Sequence, residues 1–197
     1  MSIRKSTPIL SRRRFLQWVA ALGATAAAAA GYVRVIEPRW LSVTQLEIPV
    51  ANLPAALDGK RLAQLSDIHL SQYFSPERLV SALAEVKSQA PDWLALTGDF
   101  VGNDAETAAG LVEPLQALDI PTFAVYGNHD YWSHNPTVER YLQAANVDIL
   151  LNEARQIEAG LWLAGVDDLW SGRPDLGAAM RDVPAGAPTV LLAHEPD

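Results

Sequence analysis

Thr122-Phe123-Ala124-Val125-Tyr126-Gly127-Asn128-His129-Asp130 joins an apolar run directly to four polar residues. Thr122 to Val125 reads as a short buried strand, and Gly-Asn-His-Asp then stands just past its carboxyl end. In a chain of 197 residues with 12 Gly and 4 His, about 0.0005 copies of that tetrapeptide are expected by chance. Coincidence is therefore a poor account of it. Three other apolar runs end in the same way. Leu65 leads into Ser66-Asp67-Ile68-His69, Leu96 into Thr97-Gly98-Asp99, and Leu192 into Ala193-His194. Ligands of open α/β sheets bind outside the carboxyl ends of the strands, so these clusters are expected to meet in one crevice.

The surrounding pattern fits that class. Short apolar runs at 43–48, 62–65, 93–96, 122–125, 161–164 and 190–193 alternate with helix-period segments, which is the signature of an α/β domain. Ser75 and Pro76 open a helix whose Leu79, Val80, Leu83, Val86 and Ala90 share one face, and Pro91 stops it. Further helices are expected from Asp104 to Leu118 and from Thr137 to Ala145.

Composition narrows the chemistry. The chain has no cysteine, which removes disulfides and zinc–thiolate sites and leaves oxygen and imidazole nitrogen as the metal donors. Residues 1–31 carry five basic residues and no acidic one, so the rest of the chain holds 10 basic against 23 acidic residues. Such a body repels a nucleic-acid backbone, and nucleic-acid binding is not expected. There is no Gly-x-Ser-x-Gly elbow, and Gly59-Lys60 lacks the upstream glycine of a phosphate loop because position 54 is proline.

At the N-terminus, Arg4, Lys5, Arg12, Arg13 and Arg14 precede an uncharged run from Leu16 to Ala30 with eight alanines. A basic region, a weakly apolar stretch and small residues before Gly31 read as an export signal. Fifteen helical residues span only about 22 Å against a hydrocarbon core of roughly 30 Å, which favours a signal over a spanning helix. An uncleaved anchor is the alternative. Ser11-Arg12-Arg13-Arg14-Phe15-Leu16 resembles the twin-arginine signal. That resemblance implies the twin-arginine export machinery as a partner, a cofactor loaded before export, and a place in the periplasm or on the outer face of the cytoplasmic membrane.

Taken in order, Asp-x-His, Gly-Asp, Gly-Asn-His-Asp and a later His resemble the calcineurin-like metallophosphoesterase superfamily, nearest to its exported bacterial branch. The resemblance covers residues 41–197, after a signal at 1–31 and a connecting segment at 32–40. It implies a four-layer αββα sandwich and two divalent ions (manganese, iron or zinc) with a metal-bridged hydroxide as nucleophile. By carry-over, Asp67 and His69 hold one ion, Asp99 bridges both, and Asn128 and His194 hold the second. His129 faces the phosphate as leaving-group acid or oxygen stabiliser, with Asp130 or Asp104 as its partner.

The residues support these roles on chemical grounds. Carboxylate, amide oxygen and imidazole suit hard and borderline divalent cations, and a carboxylate has two oxygens with which to bridge. Bound cations also let an acidic protein accept an anionic phosphoester. Trp132 and Tyr131 are candidates for a substrate-binding edge, and His134 for a rim position. Taken alone, Asp67 or Asp99 could equally cap a following helix.

One departure from the superfamily pattern stands out. The sequence ends at Asp197 without the Gly-His-x-His that completes the ligand set in the family. The expectation is an incomplete domain with weak metal binding and little turnover. The leading functional expectation is a phosphoester hydrolase, acting on lipid-linked phosphodiesters or pyrophosphates such as UDP-diacylglucosamine by resemblance to neighbouring branches. The alternative is a non-catalytic binding or regulatory module of the same fold.

Overall fold

A computed structural model describes residues 11–37 and 40–195. The chain divides into two compact units, residues 1–47 and 48–197. Arg4 and Lys5 of the expected signal lie outside the described residues.

In the first unit, helix α1 (Arg12–Gly31) starts at Ser11, whose hydroxyl accepts from the Arg14 amide. The helix does not stop at the alanine run. It continues as a π-helical turn over Tyr32–Ile36, because Gly31 alone is too weak a breaker and no proline intervenes. The combined Arg12–Ile36 helix has 25 residues, about 37 Å at 1.5 Å per residue. The expected 22 Å is thereby revised. This helix is long and apolar enough to cross a membrane, and none of it is buried.

The second unit is built on two sheets. The first holds β1 (Leu62–Leu65), β2 (Trp93–Thr97), β3 (Thr122–Val125) and β4 (Asp148–Ile149) in that order, all parallel. The second holds β5 (Glu153–Glu158), β6 (Leu161–Gly165) and β7 (Thr189–Leu192), with β5–β6 antiparallel and β6–β7 parallel. Every residue of β2 and β3 is buried, as strands covered on both faces require. Alternation then divides the core in two. Leu94, Leu96 and Ala124 pack with Leu79, Leu83, Leu111, Val138 and Leu142 of the helices. Trp93, Ala95, Phe123 and Val125 pack with Leu161, Leu163 and Leu192 of the second sheet. The result is an α/β fold whose parallel sheet is flanked by helices on one face and by a second sheet on the other. Beyond these three layers the described residues hold the one-turn helix α5 (Leu176–Ala179), beside β5.

Helix α2 (Pro76–Ser88) buries Leu79, Leu83 and Val86, while Val80 is 52% exposed at the stripe's edge. Ala90 falls past the helix end in a left-handed conformation (φ 47°) just before Pro91. The helix expected from Asp104 begins instead as a 3₁₀ turn, Ala105–Ala108, with the Asp104 carboxylate accepting from the Glu106 amide at 3.0 Å. It continues as α3 (Ala109–Gln116). Helix α4 (Asn128–Ala144) starts inside Gly-Asn-His-Asp and kinks at His134, so the helix expected at Thr137 is its second half.

Residues 43–48 form no strand. Their strand-like sequence pattern forms no ladder among the described strands, and Leu46 and Ile48 are exposed. β4 and β5 were not expected: the first has two residues, and the second reads Glu-Ala-Arg-Gln-Ile-Glu, too polar for an apolar-run signal.

Candidate metal centre

The chain ends of β1, β2 and β3 build the site together. The backbone after β1 runs alongside the backbone after β2: the amides of Asp67, His69 and Leu70 donate to the carbonyls of Gly98, Asp99 and Phe100 at 3.1, 2.9 and 2.9 Å. Asp67, His69 and Asp99 all adopt positive φ (53°, 46° and 56°). Aspartate and histidine tolerate that region better than most residues, but it remains costly, and a functional site is where such strain is found.

Close approach decides the glycines. A Cβ on Gly98, itself at φ 87°, would lie 2.5 Å from the Gly127 amide nitrogen, and one on Gly127 would strike Asp99 Oδ1 and come within 2.9 Å of the His194 ring. Only two facing glycines let the β2 and β3 loops meet at this distance.

Asp99 is the hub. It is 3% exposed, and its Oδ1 accepts from the His129 amide at 2.8 Å. Its Oδ2 lies 3.3 Å from His69 Nε2 and 3.5 Å from His194 Nε2. Two ligand groups share it. Donor atoms of Asp67, Asp99 and His194 all lie within 4.8 Å of one another, and so do those of His69, Asp99 and His129. Asp67 Oδ1 is 3.6 Å from His69 Nε2, while Asp67 Oδ2 accepts from Ser66 Oγ at 2.6 Å.

The supporting contacts suit metal binding. His194 Nδ1 is 2.7 Å from the Thr97 carbonyl, and His129 Nδ1 is 2.7 Å from the Gly102 carbonyl. A carbonyl only accepts, so each Nδ1 carries the proton and each Nε2 keeps its lone pair for a cation or a substrate. Burial works to lower the His194 pKa, but the Thr97 carbonyl and the nearby carboxylates of Asp99, Asp67 and Glu195 outweigh it and leave it raised. Asn128 is 6% exposed, and its amide makes no hydrogen bond among the described residues. The carboxylates and imidazoles of Asp67, His69, Asp99, His129 and His194 thus form two overlapping groups whose donor chemistry suits divalent cations.

Asp130 turns out differently from expectation. It is fully buried, and its carboxylate accepts from the amides of Asp99 (2.9 Å), Phe100 (2.8 Å) and Gly127 (2.9 Å). It does not orient His129, whose imidazole partner is the Gly102 carbonyl. Asp130 is a clamp that ties the β2 loop to the start of α4. Burial pushes its carboxyl up to about 7, against the Gly127 and Phe100 amides that favour its charged form. Asp104 is not the partner of His129 either, since it caps the 3₁₀ turn.

Trp132 is 63% exposed with its ring centroid 4.9 Å from that of His129, at the rim. Tyr131 points elsewhere: its hydroxyl donates to Asp167 Oδ1 at 2.5 Å and ties α4 to the loop after β6. His134 is exposed at the α4 kink, φ 124°, against Thr137 Oγ1. Sequence reasoning passed over Ser66, Thr97, Gly102 and Asp167. Ser66 was within reach as the neighbour of Asp67; two of the others act through backbone carbonyls, which residue type does not report.

Carboxylates and imidazoles gathered past strand ends, with Asp99 common to both groups, form a candidate metal-binding cluster on an α/β scaffold. Residues 60–196 match the calcineurin-like phosphoesterase family, and the chain belongs to it. It is similar to the uncharacterized metallophosphoesterase YkuE of Bacillus subtilis (30% identity over 205 residues, covering 95% of this chain and 70% of that protein). It is also similar to the phosphodiesterase YaeI of Escherichia coli (32% over 203 residues, covering 96% and 71%). A transmembrane protein with a metallophosphoesterase domain from Danio rerio shares 30% identity over 212 residues, covering 98% of this chain and 48% of its own length.

Proposed function

We propose that this protein is a metal-dependent phosphoester hydrolase that acts on phosphodiesters outside the cytoplasmic membrane. The observation that carries this reading is the position of Asp99 Oδ2, within 3.5 Å of both His69 Nε2 and His194 Nε2. A carboxylate so shared is suited to two cations. When bound, a pair of divalent ions supplies Lewis-acid charge at the phosphoryl oxygens and lowers the pKa of water.

The chain's own residues do the rest. Asp67, Asp99, Asn128, His69 and His194 would hold the ions. His129, fixed through Nδ1, presents Nε2 to the ester, and once Nε2 has also taken up a proton the imidazolium donates it to the leaving oxygen. Trp132 lines the rim beside it. The diester preference follows the similarity to YaeI, named a phosphodiesterase. The 25-residue helix supports delivery to the membrane by the twin-arginine machinery and retention there, which puts lipid-linked diesters and pyrophosphates such as UDP-diacylglucosamine within reach.

The test combines elemental analysis with hydrolysis of bis-p-nitrophenyl phosphate and p-nitrophenyl phosphate. Two equivalents of manganese, iron or zinc are expected, with diester turnover lost to a chelator and restored by manganese. Protein that takes up no metal and leaves both esters intact would overturn the reading.

A further inference from the structure

Three rings in succession lead from the ligand cluster onto the first turn of α4. His69 and His129 meet edge to face with centroids 4.6 Å apart, and Trp132 follows at 4.9 Å from His129 with its plane tilted by 49°. His129 and Trp132 stand three positions apart on α4, so they share one side of it. Tyr131, between them, turns away to Asp167. The helix itself therefore fixes the indole beside the imidazole.

Whatever the leaving oxygen carries lies beside this indole, because His129 is the group that faces that oxygen. An indole is flat and has a π-face, and it makes its fullest contact with another flat ring, offset-stacked or edge-on, whereas a flexible chain touches it over little of its area. Ion pairing is not what these loops offer. Residues 66–77, 97–112 and 126–139, which follow β1, β2 and β3, contain no lysine or arginine.

We infer that Trp132 is a specificity-determining residue that selects a planar aromatic ring in the leaving group. The inference rests on the phosphoester-hydrolase reading, in which His129 faces the leaving oxygen, and adds what that oxygen carries.

Calorimetric titration of the full chain with benzylphosphonate, cyclohexylmethylphosphonate and methylphosphonate, in the presence of manganese, tests it without turnover, since carbon stands in each where the leaving oxygen would be. The benzyl and cyclohexylmethyl groups differ in flatness and little in size. Benzylphosphonate should bind about 3- to 10-fold more tightly than cyclohexylmethylphosphonate, the range expected of one aromatic pair. Trp132→Leu keeps an apolar side chain and removes the flat face, and it should bring that ratio to about 1. Equal affinities in the parent protein, or a benzyl preference that survives in Trp132→Leu, overturns the role of Trp132 alone. Failure of methylphosphonate to bind with manganese present overturns the metal-centre reading and the Trp132 assignment with it.

Discussion

The buried carboxylate of Asp130 holds the backbone amide of Asp99 at 2.9 Å, and through it the loop that carries the shared ligand. Asp130 also takes the amides of Phe100 and Gly127, so its removal orphans three buried donors. Asp130→Ala is expected to cost about 3 kcal/mol or more of stability and about 10- to 100-fold in metal affinity. Urea unfolding and manganese titration measure both. A variant of unchanged stability and metal affinity but no turnover would instead make Asp130 a proton-transfer group.

Gly127 has ordinary extended backbone (φ −114°, ψ 175°), so the penalty at this position is steric. In Gly127→Ala the new methyl meets the Asp99 carboxylate and the His194 ring. We expect a loss of about 1–3 kcal/mol together with loss of metal binding. Gly186→Ala is the comparison: its φ is +77° with nothing within 4 Å, so about 1 kcal/mol of strain is expected with metal content intact.

Because Asp99 belongs to both ligand groups and Asp67 to one, their substitutions should differ in kind. Asp99→Asn weakens both manganese sites together, whereas Asp67→Asn weakens one and leaves about one equivalent bound. Titration calorimetry separates the cases. Equal loss in the two variants would remove Asp99 from its shared position.

Away from the site, Asp92 accepts from Lys60 Nζ at 2.7 Å and from the Arg61 amide at 2.8 Å. Foremost the Lys60 hydrogen bond, then the Arg61 amide, hold the Asp92 pKa below its ordinary value. A depressed folded pKa contributes stability that is present above the unfolded value, about 3.9, and lost as pH falls through the folded one. The Lys60 side chain is 39% exposed, so solvent screens the pair and the contribution is small. Stability of the parent minus that of Asp92→Asn should be constant above pH 5 and shrink below pH 4; a difference that persists at pH 2 would contradict the assignment.

Helix Arg12–Ile36 exposes its apolar side chains throughout. The full chain is expected in the membrane pellet after alkaline wash, and a chain lacking residues 1–36 in the supernatant. N-terminal sequencing of the pelleted protein then reports whether the helix is kept. A full-length chain with an intact N-terminus in the supernatant would exclude anchoring.

Much of the fold was legible because local signals and burial agree. Strands β2 and β3 are buried, almost wholly apolar runs, and Leu79, Leu83 and Val86 mark the buried stripe of α2. The failures have one cause. Residues 43–48 carry a strand pattern, yet a strand exists only if a neighbour hydrogen-bonds to it; polar β5 is a strand because β6 does so.

The sequence by itself excluded sulfur donors and set Asp67, His69, Asp99, Asn128 and His194 just past apolar runs, and the superfamily resemblance named them as candidate ligands. Parallel strands put all their carboxyl ends on one edge, so order along the chain already implied convergence. Tertiary structure decided the roles within the cluster. Asp130 became a clamp and His129 joined the cluster with its Nδ1 bound to Gly102, although the two are adjacent in sequence. At the start of a helix, successive side chains point about 100° apart, and which of them meets a buried amide and which meets the cleft depends on what packs against each.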